Sequence, residues 1–251
     1  MITSKSNQKL KKVRALLESS KERKERGLFV IEGSRLVSEA PPQMIEEVYV
    51  SAGYAKAGVE SIPCDISYEV VSDDVFRSLS DTVNPQGILA LVHMPVSGME
   101  KVIDGAGLYV ILDDIRDPGN LGTIVRTAEA AGARVILSKG CVDIFNPKVV
   151  RSTMGTIFRV PFAICDTVTA IERLHEEGVT VCAAMLDGSI PYTELDVSGA
   201  CAFIIGNEAN GVSSEAAEAS DVRVRIPMRG RVESLNAAVS AAILMYSKVA
   251  V

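Results

Sequence analysis

The sequence Asp117-Pro118-Gly119-Asn120-Leu121-Gly122 follows an apolar run at 108–112 and leads into a helical pattern that carries Arg126. Two similar loops occur further along the chain. The second is Ile205-Gly206-Asn207-Glu208-Ala209-Asn210-Gly211, and the third is Ile226-Pro227-Met228-Arg229-Gly230, with Ser234-Leu235-Asn236 close behind. Glycine-containing turns at the carboxyl ends of parallel strands usually border a ligand in open α/β folds. The three loops therefore predict one binding site.

Around these loops, apolar strands alternate with helical patterns, as in a parallel sheet covered by helices. Helices are predicted at 121–131, 167–177 and 234–249. The predicted strands are 108–112, 135–137, 179–183, 202–205 and 222–226. The fold class expected for residues 107–251 is therefore α/β, with a parallel sheet flanked by helices.

Residues 1–95 predict a smaller α/β domain. A helix is predicted at 9–25, because Leu10, Val13, Leu16 and Leu17 form an apolar stripe at helical spacing. Strands at 28–31, 46–50 and 88–92 alternate with short helices. The stretch 96–106 contains proline and glycine residues and is predicted to link this domain to the one at 107–251.

The charge is distributed unevenly along the chain. The 251 residues carry a net charge of −6, but residues 1–35 hold ten Lys or Arg against four Glu. The negative total argues against a protein that binds nucleic acid with its whole surface. The basic segment indicates either a docking face for a polyanion or a helix whose Lys and Glu side chains pair with each other.

Several function classes are disfavoured. The chain has no dinucleotide fingerprint after the strand at 108–112 and no P-loop, which speaks against a nucleotide-dependent oxidoreductase. His93 and His175 lie in no motif and no Cys/His cluster is present, so we expect no metal site. The scattered cysteines, the lack of a membrane-length apolar stretch and the polar start of the chain predict a cytoplasmic protein with reduced thiols.

The three loops, in this order and at these distances, resemble the motifs of the SpoU/TrmH branch of the SPOUT RNA methyltransferases. Each motif alone is weak, and the three together are strong. The stretch 146–155 also resembles the family, with Thr153 at a position where serine is commoner. The matching residues are Asn120-Leu121-Gly122 with Arg126-Thr127-Ala128, Ile205-Gly206-Asn207-Glu208 with Gly211, and Ile226-Pro227-Met228 with Ser234-Leu235-Asn236.

This resemblance implies a homodimeric enzyme whose C-terminal domain contains a deep trefoil knot. It implies transfer of a methyl group from S-adenosylmethionine to a ribose 2′-hydroxyl, in ribosomal RNA first and in transfer RNA as the alternative. The residues implied in catalysis are Arg126, Asn120, Glu208 and Ser234. Those implied in cofactor binding are Ile205, Gly206, Ile226, Met228, Leu235 and Asn236.

The first 90 residues resemble the substrate-binding domain that many members of this family carry. That domain is similar to a ribosomal protein fold that binds kinked RNA. The basic segment at the start of the chain is accordingly expected to contact RNA phosphates, through Lys5, Lys9, Lys11, Lys12, Arg23 and Arg35.

Two questions stay open at the level of sequence. Family accounts give the position of Arg126 an active role, sometimes as the base, but a guanidinium with a pKa above about 12 suits an orienting role better. The second question is whether the chain is an enzyme or a non-catalytic RNA-binding or ribosome-assembly factor on the same fold. Binding of S-adenosylmethionine discriminates between these two functions.

Overall fold

A computed structural model describes residues 1–59, 62–63, 66–80, 82, 84–196 and 198–249. Two compact units make up the chain. The first unit comprises residues 1–95 and 143–158, and the second unit comprises residues 96–142 and 159–251.

The first unit contains a four-stranded mixed sheet. Strand β4 is antiparallel to β1 and to β2, and β2 is parallel to β3, giving the order β1-β4-β2-β3. The elements of residues 1–95, in chain order, are α1 Gln8–Glu18, α2 Ser20–Arg26, β1 Leu28–Glu32, α3 Ser34–Glu39, β2 Ile45–Ser51, α4 Ala52–Ala57, β3 Tyr68–Val71, α5 Asp73–Arg77 and β4 Ile88–His93.

The prediction of a single helix at 9–25 is wrong, because the structure has two helices that meet at Ser19. Ser19 is extended, and its hydroxyl accepts a hydrogen bond from the backbone N–H of Glu22 at 3.2 Å. A serine that caps a new helix offers the backbone an alternative to continuing the old one.

The second unit is built on a seven-stranded parallel sheet, which confirms the predicted α/β class; the knot implied by the resemblance stays a prediction. The strand order is β7-β6-β5-β10-β8-β11-β9. The remaining elements are α6 Met99–Val102, β5 Leu108–Leu112, α7 Pro118–Ala130, β6 Ala133–Ser138, α8 Pro147–Thr153, β7 Phe162–Cys165, α9 Thr167–Glu176, β8 Thr180–Ala184, β9 Ile190–Pro191, β10 Cys201–Ile205, α10 Ser214–Ala219, β11 Val222–Arg225 and α11 Ala237–Tyr246.

The two central strands of this sheet are wholly apolar because both faces are covered. Every residue of β5 and of β10 is buried. An uninterrupted apolar run is typical of parallel strands between two layers of helices. The predicted linker 96–106 contains α6, and Val102 and Ile103 are buried in the core of the second unit.

The segment 143–158 packs with residues 1–95 rather than with the sheet that precedes and follows it in sequence. Phe145 and Phe158 both lie against Phe29 of β1, with ring centroids 4.9 and 6.1 Å away. Helix α8 lies within this segment and contacts β1. The domain boundaries predicted from sequence did not include this excursion of the chain.

The placement of Arg23 corrects its predicted role in RNA binding. Its side chain is only 3% exposed, and its Nε and Nη2 atoms donate to Asp143 Oδ2 at 2.9 and 2.7 Å. Its Nη1 donates to the backbone carbonyls of Leu16 and Leu17. A buried guanidinium needs such partners, and Arg23 therefore fastens α1 to the segment 143–158 instead of facing a ligand.

Candidate active site

The three loops meet at one edge of the sheet of the second unit. They follow β5, β10 and β11, whose carboxyl ends point the same way because all pairs in this sheet are parallel. Strands β5 and β10 are direct neighbours, and β8 separates β10 from β11. The expected convergence of the loops is therefore present.

In the first loop the residue that caps helix α7 is Asp117. The Asp117 carboxylate accepts from the backbone N–H of Asn120 at 2.8 Å, and Pro118 occupies the first position of α7. Proline fits there because that N–H has no partner within the helix. The side chain of Asn120 is thereby left to contact the other loops.

Glu208 of the second loop binds the first loop with both carboxylate oxygens. Oε1 accepts from Asn120 Nδ2 at 3.0 Å and from the backbone N–H of Asp117 at 3.2 Å, and Oε2 accepts from the backbone N–H of Arg116 at 3.2 Å. Burial alone would raise the pKa of Glu208, but the hydrogen bonds led by that of Asn120 outweigh it and hold the pKa below its ordinary value. Glu208 is therefore a carboxylate at neutral pH.

Asn236 of the third loop completes a chain of hydrogen bonds. Its Nδ2 donates to Asn120 Oδ1 at 2.9 Å, while its Oδ1 accepts from the backbone N–H groups of Ala238 and Val239. It is thus the N-cap of α11, which begins three residues later than predicted. Because α11 starts only after Asn236, the third loop extends from Ile226 to Asn236 and includes Ser234 and Leu235. The series Glu208–Asn120–Asn236 ties all three loops together.

The second loop closes tightly on itself. The backbones of Asn207 and Gly211 exchange two hydrogen bonds of 2.9 Å, and Asn207 Nδ2 donates to the carbonyl of Asp114 at 2.8 Å. A Cβ atom on Gly206 would overlap the backbone of Gly211 and Val212. Only glycine fits at this position, since the atoms that would have to move belong to the main chain.

Two adjoining cavities open between the loops, with volumes of about 680 and about 120 Å³. The larger is lined mainly by the second loop and by residues 234–237, and the smaller mainly by the third loop and by Ser240 and Leu244 of α11. The predicted cofactor residues all line one cavity or both, as does the predicted catalytic Ser234: Ile205, Gly206 and Asn236 the larger, Ile226 and Met228 the smaller, and Ser234 and Leu235 both.

Sequence reasoning missed one wall of these cavities. Ala184, Met185 and Leu186 line both, and Asp187 lines the larger. They follow β8, which lies between β10 and β11, so their place at the same edge is a consequence of strand order. Leu186 is 57% exposed, an unusual fraction for a leucine. In the sequence, a glycine at 188 after an apolar strand was the feature that could have indicated this loop.

Arg126 stands apart from the other predicted catalytic residues. It is exposed on α7 and lines neither cavity, and its guanidinium makes no hydrogen bond or ion pair with any residue that the structure describes. Within this part of the chain no carboxylate therefore neutralises Arg126. Helix α7 packs against α11.

The predicted RNA-binding lysines of the first unit divide into two groups. Lys9 Nζ lies 2.6 Å from Glu69, and Lys12 Nζ lies 2.8 Å from Glu47 and 3.2 Å from Glu46. Lys5, Lys11 and Arg35 are exposed, and their charged groups have no partner among the described residues. Part of the basic segment is therefore neutralised by other elements of the first unit.

Other site types have little support within the described ranges. No group of three His, Cys, Asp or Glu side chains there is arranged to hold a metal ion. Cys141, Cys165, Cys182 and Cys201 are free thiols, and Cys64 lies outside the described residues. None of the helices described has the length and apolar character needed to cross a bilayer.

Comparison with known proteins gives the same assignment for both units. Residues 107–246 match the SpoU rRNA Methylase family, and residues 7–90 match the MRM3-like substrate binding domain. A relative from Bacillus subtilis, named 23S rRNA (guanosine(2553)-2′-O)-methyltransferase RlmP, is 38% identical over 98% of this chain and 97% of its own length.

Solved structures agree with the relatives. The AdoMet-bound rRNA methyltransferase from Sinorhizobium meliloti superposes with a TM-score of 0.87 at 33% identity, covering 98% of this chain and 95% of that one. The SpoU methyltransferase AviRb from Streptomyces viridochromogenes, in complex with AdoMet, gives a TM-score of 0.83 at 26% identity, with 97% of each chain covered. On the family match, the relative and the shared fold, the chain belongs to the SpoU rRNA methylase family.

Proposed function

We propose that this protein transfers a methyl group from S-adenosylmethionine to a ribose 2′-hydroxyl of ribosomal RNA. The observation that carries the proposal is the hydrogen-bonded series Glu208–Asn120–Asn236, which joins three loops around a cavity at the carboxyl edge of the sheet. The relatives' printed names supply the reaction and the class of RNA.

The cavities fit S-adenosylmethionine by size and by chemistry. A volume of about 680 Å³ lies within the roughly 300–1,000 Å³ usual for small-molecule sites. The smaller cavity is lined by apolar side chains that suit a flat base, among them Met185, Ile226, Met228 and Leu244. The bound cofactor supplies an electrophilic methyl group on a sulfonium. When the methyl group is transferred, the sulfur leaves as a neutral thioether, which is a good leaving group.

The chain's own residues then have to position the ribose and its proton. Glu208 is already occupied by three donors and has a lowered pKa, so it acts as a positioning residue and not as the base. The hydrogen bonds from Asn120 to Glu208 and from Asn236 to Asn120 hold the third loop in a fixed position relative to Glu208. Arg126, whose guanidinium has no partner among the described residues, is left to hold a phosphate and polarise the hydroxyl.

The test is to map ribose methylation in ribosomal and transfer RNA from cells with and without the gene. One 2′-O-methyl group in 23S rRNA should disappear with the gene, and purified protein with S-adenosylmethionine should restore it. The guanosine that corresponds to position 2553 is the first site to inspect, because the Bacillus subtilis relative is named for it. Loss of a methyl group in transfer RNA alone would support the alternative substrate.

A second function on the same fold is a non-catalytic RNA-binding or assembly factor. Calorimetric titration with S-adenosylmethionine separates the two, because an assembly factor has no need of the cofactor. Failure to bind S-adenosylmethionine, together with unchanged methylation maps, would favour the assembly factor. A cytoplasmic location goes with either function.

We also propose that the protein is a homodimer assembled through α11. Val239 and Tyr246 on this helix are 47% and 51% exposed. Together with the half-buried Ala242 and Ile243 they follow the spacing i, i+3, i+4, i+7, which is one helical stripe. An exposed apolar stripe of this kind typically marks an interaction surface.

Light scattering at micromolar concentration is expected to give twice the chain mass of 26.8 kDa. The double variant Val239→Glu/Tyr246→Glu should be monomeric, because buried charges would oppose association. Ile164→Glu, which changes a residue 47% exposed on the edge strand β7, is the matched control and should stay dimeric. A monomeric wild type would refute the dimer.

For the first unit we propose RNA docking through Lys5, Lys11 and Arg35, the predicted RNA-binding side chains whose charged groups have no partner among the described residues. Reversing Lys5 and Lys11 to Glu should weaken RNA binding and flatten its salt dependence, by roughly 0.7 in the log–log slope for each contact to a single strand. Cofactor affinity should not change.

The control for this experiment is Lys56→Glu/Arg77→Glu, which makes the same charge change at exposed positions of α4 and α5, where Arg77 meets only the solvent-exposed Asp74 at 3.5 Å. Lys9 and Lys12 are left alone, because reversing them would also repel their glutamate partners. Equal weakening by both double variants would point to net charge and contradict a docking face at Lys5 and Lys11.

A further inference from the structure

The third loop carries two arginines that no role described so far uses. Arg229 and Arg231 lie between Met228 and Glu233, both of which line the smaller cavity. Both arginines are exposed, neither lines a cavity, and neither makes an ion pair or side-chain hydrogen bond with the described residues. Two residues span at most about 7 Å, so the backbone of each arginine lies close to the cavity rim.

The second unit carries a net negative charge, so arginines without an acidic partner among the described residues matter for binding an anionic ligand. The second unit holds twelve Lys or Arg against eighteen Asp or Glu. Several of its basic side chains are neutralised in ion pairs: Arg116 with Asp114, Arg134 with Asp104, Arg159 with Glu129, and Arg173 with Glu176 and Glu177. At the cavity itself, Glu208 is ionised and Glu233 is exposed.

A polyanion that approaches such a unit meets net repulsion over a Debye length of about 8–10 Å. The cavity is useful for methyl transfer only if an RNA strand can reach it. Unpaired cations at its rim are the groups that can reverse the local potential, and a guanidinium binds phosphate in a bidentate manner.

We propose that Arg229 and Arg231 bind the phosphates that flank the target ribose and so seat the RNA strand over the cofactor cavity. This inference rests on the proposed function and adds residues to it. RNA is a better ligand for them than the carboxylate of the cofactor, because both side chains point to solvent outside the two cavities. Gly230 between them meets no neighbouring atom, so the loop has room for a strand.

The experiment compares Arg229→Ala/Arg231→Ala with wild type in two titrations. RNA affinity is measured from 50 to 300 mM salt with an rRNA fragment that contains the mapped methylation site, and S-adenosylmethionine affinity is measured by calorimetry. We expect each arginine lost to weaken RNA binding about tenfold, as for hydrogen bonds to charged groups. The log–log salt slope should fall by roughly 1.4, for two single-strand contacts. Cofactor affinity should stay within twofold.

Three further variants make the result specific. Arg229→Lys/Arg231→Lys should keep the salt slope, because the charge remains. Val232→Ala changes an exposed residue of the same loop without changing charge, and Arg173→Ala removes a half-buried arginine that two glutamates already neutralise. Neither control should alter RNA affinity.

An unchanged salt slope in the double alanine variant would overturn the inference. So would equal weakening by Arg173→Ala, which would indicate bulk charge, or a parallel loss of cofactor affinity, which would assign the arginines to the cofactor carboxylate. These outcomes are distinct from failure of the proposed function, which would show as wild-type protein that neither binds S-adenosylmethionine nor methylates rRNA.

Discussion

Replacing Arg126 by alanine is expected to slow single-turnover methylation at least about 100-fold, roughly 2.7 kcal/mol of transition-state stabilisation. The guanidinium is exposed and has no partner among the described residues, so nothing in that part of the chain needs it for folding. Its contribution should appear only when RNA and cofactor are both bound. S-adenosylmethionine affinity should therefore be unchanged, since Arg126 lines neither cavity.

The lysine variant separates the two roles open to this residue. Arg126→Lys keeps the positive charge but loses the fork that binds a phosphate and a hydroxyl together, so slow but measurable transfer is expected. A residue that acted as the base would instead give a pH–rate profile that moves with the lower pKa of lysine. An unchanged profile supports the orienting role.

Thr123→Ala is the control, because it alters the exposed face of α7 one turn away without changing charge. Near wild-type transfer by Arg126→Ala would remove Arg126 from the mechanism. Lost cofactor binding in that variant would make its role structural.

Because Arg126 lines neither cavity of its own chain, the proposed homodimer allows a test of which chain's site it serves. A mixed dimer would pair one chain carrying Arg126→Ala with one carrying Asn236→Ala, which is expected to lose the cap of α11 and weaken cofactor binding. Each homodimer should be impaired. Activity in the mixed dimer would assign Arg126 to the partner's site, and its absence would assign Arg126 to its own.

Replacing Gly206 by alanine is expected to abolish measurable S-adenosylmethionine binding. The added Cβ would overlap the backbone of Gly211 and Val212, which no rotamer change can relieve. Forcing these segments apart breaks the paired hydrogen bonds between Asn207 and Gly211. Overpacking against movable side chains already destabilises a protein by about 1–3 kcal/mol. The cost is higher here, because the overlapping atoms belong to the main chain and cannot move as easily.

The displacement should also reach the first loop. Glu208 lies two residues beyond Gly206 and holds Asn120 together with the backbone of Arg116 and Asp117. If the second loop moves, the series that reaches Asn236 is broken and methyl transfer is lost as well. The single methyl group added in the Gly206→Ala variant should thus impair the site as much as the loss of several binding residues.

Gly230→Ala and Gly199→Ala are the controls, because a Cβ at either position meets no atom within contact distance. Both should bind S-adenosylmethionine like wild type. Circular dichroism and RNA binding by the first unit should show that Gly206→Ala is still folded. Wild-type cofactor affinity in this variant would mean that the second loop is free to rearrange.

Much of the second unit could be predicted from its sequence. The apolar runs at 108–112 and 202–205 lie within the buried strands β5 and β10, because a strand covered on both faces has to be apolar throughout. Loops rich in Gly, Pro and Asn marked the ends of those strands. Parallel pairing then brings the loops to one edge without any further information.

The first unit shows where local patterns fail. Arg23 has the sequence context of an exposed helical cation, yet it is buried against Asp143, 120 residues away. Lys9 and Lys12 likewise pair with glutamates of β2 and β3 and not with those of their own helix. A periodicity of 3.6 shows which face of a helix is apolar, but not which distant carboxylate meets its polar groups.

The sequence by itself thus determined five of the seven strands of the second unit, the loops and the family motifs, because these depend on neighbouring residues; β7 and β9 were not predicted. Tertiary structure alone decided that residues 143–158 pack with the first unit, that the loop after β8 forms a cavity wall, and that Asn120 bridges Glu208 and Asn236. Those contacts join residues far apart in sequence, and strand order and packing bring them together, so no local pattern encodes them.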